Sequence, residues 1–110
     1  MKVSNLLKNI KNCEVLFEGD QDRNISKVYC CDLLSIAMAN APIDGVWVTV
    51  MGNRNTLAVA VLTDISCIVL AEGATFDEGT LEQAKIEEIA VLRTELPVFD
   101  IALEIHNLMV

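Results

Sequence analysis

VWVTVMGNRNTLAVAVLTDISCIVL, residues 46–70, decides the fold. Its first six residues, VWVTVM, are a run of β-branched and other apolar side chains that reads as a strand. Gly52 ends that run and opens the loop Gly52-Asn53-Arg54-Asn55. Thr56 to Leu62 is then apolar on nearly every side, which in a soluble protein means a helix packed on more than one surface. Ser66 to Leu70, with Ile65 just before it, is an unbroken apolar run bounded by polar residues, the pattern of a central parallel strand.

The flanking segments continue the alternation of strands and helices. Ser4 caps a short helix through about Lys11, with Leu6, Leu7 and Ile10 on one side. CEVLF, 13–17, is a short strand, and Gly19-Asp20-Gln21-Asp22 is a turn. Ile25, Val28 and Cys30 mark a second strand ending at Asp32. Asp32 is placed as the N-cap of a helix carrying Leu34, Ala37, Met38 and Ala41, which Pro42 stops. Asp77 caps a later helix with Leu81 and Ala84 inward, and Ile89 to Leu92 is another short buried strand. After Pro97, the residues Val98, Ile101, Ala102, Ile105, Leu108 and Met109 form an apolar helical stripe. The fold class predicted is α/β, a three-layer α/β/α sandwich around a small, largely parallel sheet.

A chain of 110 residues is long enough for one core and too short for two, so residues 1–110 are expected to form a single domain. Leu57 to Ala71 is broken by Thr63-Asp64 and falls short of the roughly 20 residues a membrane helix needs, so no membrane span is expected. Lys2, Lys8 and Lys11 have no apolar core between them, which argues against a secretory signal and for a cytoplasmic protein. A net charge of −8 argues against nucleic acid as a partner. The charge is unevenly placed: residues 28–110 hold twelve acidic side chains and only Arg54, Lys85 and Arg93 as bases. The cysteines Cys13, Cys30, Cys31 and Cys67 form no C-x-x-C and have no histidine near them in sequence. They read as buried reduced thiols rather than metal ligands or a redox pair.

In parallel sheets of this kind, ligands settle at the carboxyl ends of the strands. Four segments qualify: Asp32-Leu33-Leu34-Ser35, Gly52-Asn53-Arg54-Asn55, Ala71-Glu72-Gly73-Ala74 and Arg93-Thr94-Glu95. Gly52 lets the backbone turn tightly, and the helix start behind it offers amide donors with a partial positive charge. Arg54 then either grips a phosphate or carboxylate in a bidentate manner or forms a salt bridge with Asp32, Glu72 or Glu95. Thr94 is placed to cap the last helix, and Arg93 to pair with an acid or face a ligand. His106, near the end of the last helix, suits the helix dipole there and has no nucleophile beside it. No catalytic residue, metal site or cofactor motif is found.

Taken in order, VYCCDLLSIAMANA, VWVTVMGNRNTLAVAVLTD and CIVLAEGATFDEGTLEQAKIEEIAVLRTELPVFDIA resemble the DRTGG domain family over nearly the whole chain. IAVLRTELPVFDIA is also similar to the N-terminal domain of HPr kinase/phosphorylase. That relative implies a fold shared with the N-terminal domains of the MurE and MurF ligases. The family's Asp-Arg falls on Asn53-Arg54 and its Thr-Gly-Gly on Ala71-Glu72-Gly73, so Arg54 and Gly73 are kept while an acid, a hydroxyl and a glycine are replaced. Glu72, standing where the family has glycine, would repel an anion held by Arg54 or pair with Arg54 itself.

The resemblance implies a regulatory or ligand-sensing module without catalytic activity. The expected ligand is small and polar or nucleotide-like, held at an edge formed by Asp32, Gly52, Asn53, Arg54, Glu72, Gly73, Arg93 and Thr94. The alternative is a self-associating interaction adaptor with no small-molecule ligand, in which Arg54 and Glu72 are locked as an ion pair. The apolar surplus of helix 56–62 points to a homodimer. With no attached effector domain, a signal is expected to pass to a separate protein or through self-association.

Overall fold

A computed structural model describes residues 1–110. In chain order the elements are α1 (Val3–Asn9), β1 (Glu14–Phe17), β2 (Val28–Cys30), α2 (Leu34–Asn40) and β3 (Val46–Thr49), followed by α3 (Arg54–Leu62), β4 (Cys67–Leu70), α4 (Glu78–Glu87), β5 (Ala90–Arg93) and α5 (Val98–Met109). The five strands form one sheet in the order β1-β5-β4-β3-β2. β2 to β5 are parallel and β1 lies antiparallel on the outer side of β5.

Every residue of β3 and β4 is buried. Because successive side chains of a strand point to opposite faces, this burial requires a cover on both sides of the sheet. On one face Val46, Val48, Cys67, Val69, Ala90 and Leu92 meet Val3 and Leu6 of α1 and Ile101 and Ile105 of α5. On the other, Trp47, Ile68, Leu70 and Val91 meet Ala37 of α2, Leu57, Val59 and Ala60 of α3, and Ala84 of α4. The three layers and the largely parallel sheet read from the sequence are the observed architecture. Each parallel strand lies beside its successor, so α2, α3 and α4 all cross on one face, leaving the other to α1 and α5.

The element boundaries differ from the sequence reading where a side chain or cap takes over a backbone group. β3 ends at Thr49 rather than Met51, because the next amide, that of Val50, turns to the Asp32 carboxylate at 2.9 Å. β5 starts at Ala90 because the Ile89 amide closes α4 by donating to Ala84 O at 3.1 Å, after the left-handed Glu88. α1 is capped at Lys2 rather than Ser4, with the Lys2 amide donating to Asn5 Oδ1 at 2.9 Å.

Gly19, at φ +65°, lies against β5: a Cβ placed there would stand 2.3 Å from Ala90 N. A left-handed conformation costs a non-glycine residue about 1–2 kcal/mol, and here backbone atoms block the side chain as well. Gly19→Ala is therefore expected to lower the unfolding free energy by at least about 2 kcal/mol, measured by urea denaturation. A loss within error of zero would show that the β1–β2 connection is free to move away from β5.

Candidate functional site at the carboxyl edge of the sheet

The parallel strands end on a common edge, and the antiparallel β1 starts there, with Glu14 opposite Arg93. All eight residues singled out from the sequence lie at this edge: Arg93 ends β5, Arg54 opens α3, and the other six stand in the loops after β2, β3, β4 and β5. They fall into two groups, one around the end of β3 and one between the ends of β4 and β5.

In the first group, Asp32 is not a helix cap, since α2 is capped at Leu33 with no side-chain bond. The Asp32 carboxylate instead accepts from Thr49 Oγ1 at 2.7 Å and from Val50 N at 2.9 Å. It thereby ties the end of β2 to the end of β3. Thr49, buried within an apolar strand, also accepts from Met51 N at 3.2 Å and shapes the turn into Gly52. Gly52 is needed for close approach: a Cβ there would lie 2.4 Å from Thr75 O of the loop after β4. Asn53 caps α3, its Oδ1 accepting from Asn55 N at 3.0 Å and Thr56 N at 3.2 Å. Two amides at this helix start are thus satisfied within the chain rather than left for an anion.

Arg54, the first residue of α3, is exposed and forms neither a hydrogen bond nor an ion pair with the protein. Neither Glu72 nor Asp32 nor Glu95 is bound to it. Its charge acts on Asp77, the cap of α4. A hydrogen bond from Thr80 N at 2.7 Å holds the Asp77 carboxyl below its ordinary value, and the Arg54 charge adds to that.

The second group is closed by its own bonds. Glu72 and Gly73 both have left-handed backbones, at φ 55° and 79°. Their amides donate to Leu96 O at 3.0 Å and to Thr94 O at 2.9 Å, which fastens the β4 loop to the β5 loop. Arg93 is paired with acids rather than open to a ligand. Its Nη2 donates to Glu95 Oε1 at 2.9 Å and Gly73 O at 3.1 Å, and its Nη1 to Glu14 Oε2 at 3.4 Å. Glu95 and then Glu14 raise the guanidinium above its ordinary value. Thr94 does not cap α5, which begins behind Pro97. It is buried, donates to Asn12 O and accepts from Leu96 N at 3.1 Å. Glu72 keeps an exposed side chain with no hydrogen-bond partner.

Residues 6–108 match the DRTGG domain family. The chain belongs to the DRTGG family. A crystal structure of the CBS and DRTGG domains of the regulatory region of Clostridium perfringens pyrophosphatase, complexed with its activator diadenosine tetraphosphate, shares the fold. The TM-score is 0.71 at 16% identity, over 97% of this chain and 46% of that one, so the chain spans less than half the length of that relative. Comparison with curated proteins gives no significant match. No helix is long and apolar enough to cross a membrane.

The cysteines of this DRTGG domain are all free, but only Cys67 is buried as expected; Cys13 and Cys31 are half-buried, and Cys30, on the edge strand β2, is exposed. Burial and the Asp32 charge push the Cys30 thiol up. Burial, followed by the Glu104 charge, takes Cys13 to about 11, and complete burial raises Cys67 further. His106 is exposed. The sequence reading passed over Thr49 and gave Asp77 only a cap; a hydroxyl inside VWVT was the available signal for the first.

Two outcomes are expected here. Asp32→Ala removes the acceptor for two donors, one of them on a buried threonine, and should cost about 1–3 kcal/mol in denaturant unfolding. Thiol labelling with a maleimide at neutral pH should be slow and start at Cys30, with Cys67 labelled only on unfolding; the rates at Cys30 and Cys13 should rise with pH towards their raised pKa values. Fast labelling of Cys67 in the native protein would contradict the packing of β4.

Proposed function

We propose that this DRTGG domain is a non-catalytic regulatory module that senses a small polar or nucleotide-like ligand at the carboxyl edge of its sheet. One observation carries the reading: of three arginines, Arg54 alone has no internal partner. Arg23 is held by Asp44 at 3.0 Å and by the carbonyls of Ile65 and Asp64. Arg93 is held by Glu14, Glu95 and Gly73. A guanidinium with five unused donors in a chain of net charge −8 is suited to a bidentate anionic group.

Glu72 stands on the neighbouring loop as an unpaired acceptor, so a ligand with both phosphate-like and amino or hydroxyl groups fits the pair. The amides of Asn55, Thr56, Glu72 and Gly73 already have partners, so side chains rather than a backbone cradle would hold it. The regulatory region of the pyrophosphatase relative takes a nucleotide activator, which makes nucleotides the first class to test. On this reading residues 1–110 act as one unit in the cytoplasm and pass a signal to an effector. The adaptor alternative defined by a locked Arg54–Glu72 pair has no support in the geometry, since that pair is not formed.

A thermal-shift screen with nucleotides and phosphorylated metabolites tests the proposal. Ligand at about 100 times its dissociation constant adds roughly 2.7 kcal/mol, several degrees for a domain of this size. The shift should be lost in Arg54→Ala and altered in Glu72→Gln. A ligand whose shift survives Arg54→Ala binds elsewhere, and no shift from any compound sets the sensing role aside.

A further inference from the structure

We propose that the face between α3 and α4 pairs two copies of this chain about a two-fold axis. A hollow of about 380 Å³ lies along this face. Leu57, Ala58, Val61 and Leu62 of α3 supply its apolar lining, and Gln83 and Glu87 border it from α4. Leu62 is 71% exposed and Ala58 is also at the surface, although three residues of the same helix pack into the core. This is where the apolar surplus of TLAVAVL comes out: the sheet and the flanking helices cover α3 on its other sides.

The charges at the two ends of the hollow select the occupant. α3 and α4 both start at the carboxyl edge of the sheet, so they run in the same direction. Arg54 is the first residue of α3 and Glu87 the last of α4, which puts them at opposite ends, separated by about 13 Å of helix rise. Each stands against its helix dipole, a cation at an amino terminus and an anion at a carboxyl terminus. Neither is in an ion pair; Glu87 has only Gln83 Nε2 at 3.3 Å. A second copy laid across the face in the opposite direction brings its Glu87 to Arg54 and its Arg54 to Glu87. The apolar residues then meet their own counterparts at the axis, as a self-complementary contact requires. Arg54 has five donors, so it can meet both the partner's carboxylate and a ligand at the strand edge.

Sedimentation across about 1 µM to 1 mM, the range of a weak to moderate dimer, tests this with Arg54→Glu, Glu87→Arg, Leu62→Lys and the double variant R54E/E87R. Each charge reversal agrees with its helix dipole and all three side chains are exposed, so the monomer stays folded. Each single variant is expected to weaken association at least about tenfold, since symmetry breaks the pair twice, and the double variant should restore it. A wild-type monomer throughout the range, a dimer unmoved by the single variants, or a double variant that fails to recover would each overturn the proposal. Glu87 and Leu62 lie away from the strand edge, so Glu87→Arg and Leu62→Lys should lose the dimer and keep any ligand response, whereas a wild-type dimer with no ligand response counts against the ligand reading alone.

Discussion

The double-sided burial of β4 is the constraint from which the architecture follows. Cys67 and Val69 face one layer, Ile68 and Leu70 the other, and all four are fully inaccessible. A four-residue strand in that position must have a strand on each side and helices above and below. Parallel neighbours then need crossovers, and α3 and α4 provide them on one face. The second face would remain open if the chain stopped at β5. α5 and α1 cover it, and β1 closes the edge beside β5 in the antiparallel sense.

This logic is why the fold was legible from apolar runs and why its finer points were not. CIVL and VWVT announce buried strands by composition alone, and Asp77 and the stripe from Val98 announce their helices. What the runs do not contain is the fate of individual amides. Val50 belongs by composition to the strand, yet its N–H is taken by Asp32, eighteen positions earlier. Thr94 has the side chain of a cap but reaches Asn12 across the sheet, and Arg93 reaches Glu14. Such contacts depend on which strand comes to lie beside β5, and local pattern carries no information on that. The candidate edge shows the same split. Its location follows from parallel strands, whereas the pairing of Arg93 and the freedom of Arg54 emerge only when the strands are assembled.

The departures from the family motif acquire a physical meaning in this setting. On the motif placement read from the sequence, asparagine in place of aspartate at position 53 leaves the cap of α3 intact, because an amide oxygen accepts from Asn55 and Thr56 as a carboxylate would. It also removes a negative charge from beside Arg54. Glu72 adopts the left-handed conformation that glycine takes most easily, which costs a non-glycine residue about 1–2 kcal/mol. Glu72 therefore sets a carboxylate on the edge at the expense of backbone strain, while its amide joins the β4 loop to the β5 loop.

Arg54 belongs both to the strand edge and to the α3–α4 face. A cation at a helix amino terminus loses interaction energy relative to a neutral side chain there, and in this chain no internal acid repays it. Asp77 offers only a long-range attraction, engaged as it is with Thr80. An exposed arginine in that position gains most from an anion delivered from outside, whether a ligand at the strand edge or the carboxylate of a second copy. The unpaired Glu72 on the neighbouring loop favours the first, and Glu87 on the α3–α4 face favours the second. The proposed ligand and the proposed partner carboxylate would draw on one guanidinium, so the two proposals are coupled through Arg54: occupancy of either would change the field felt at the other.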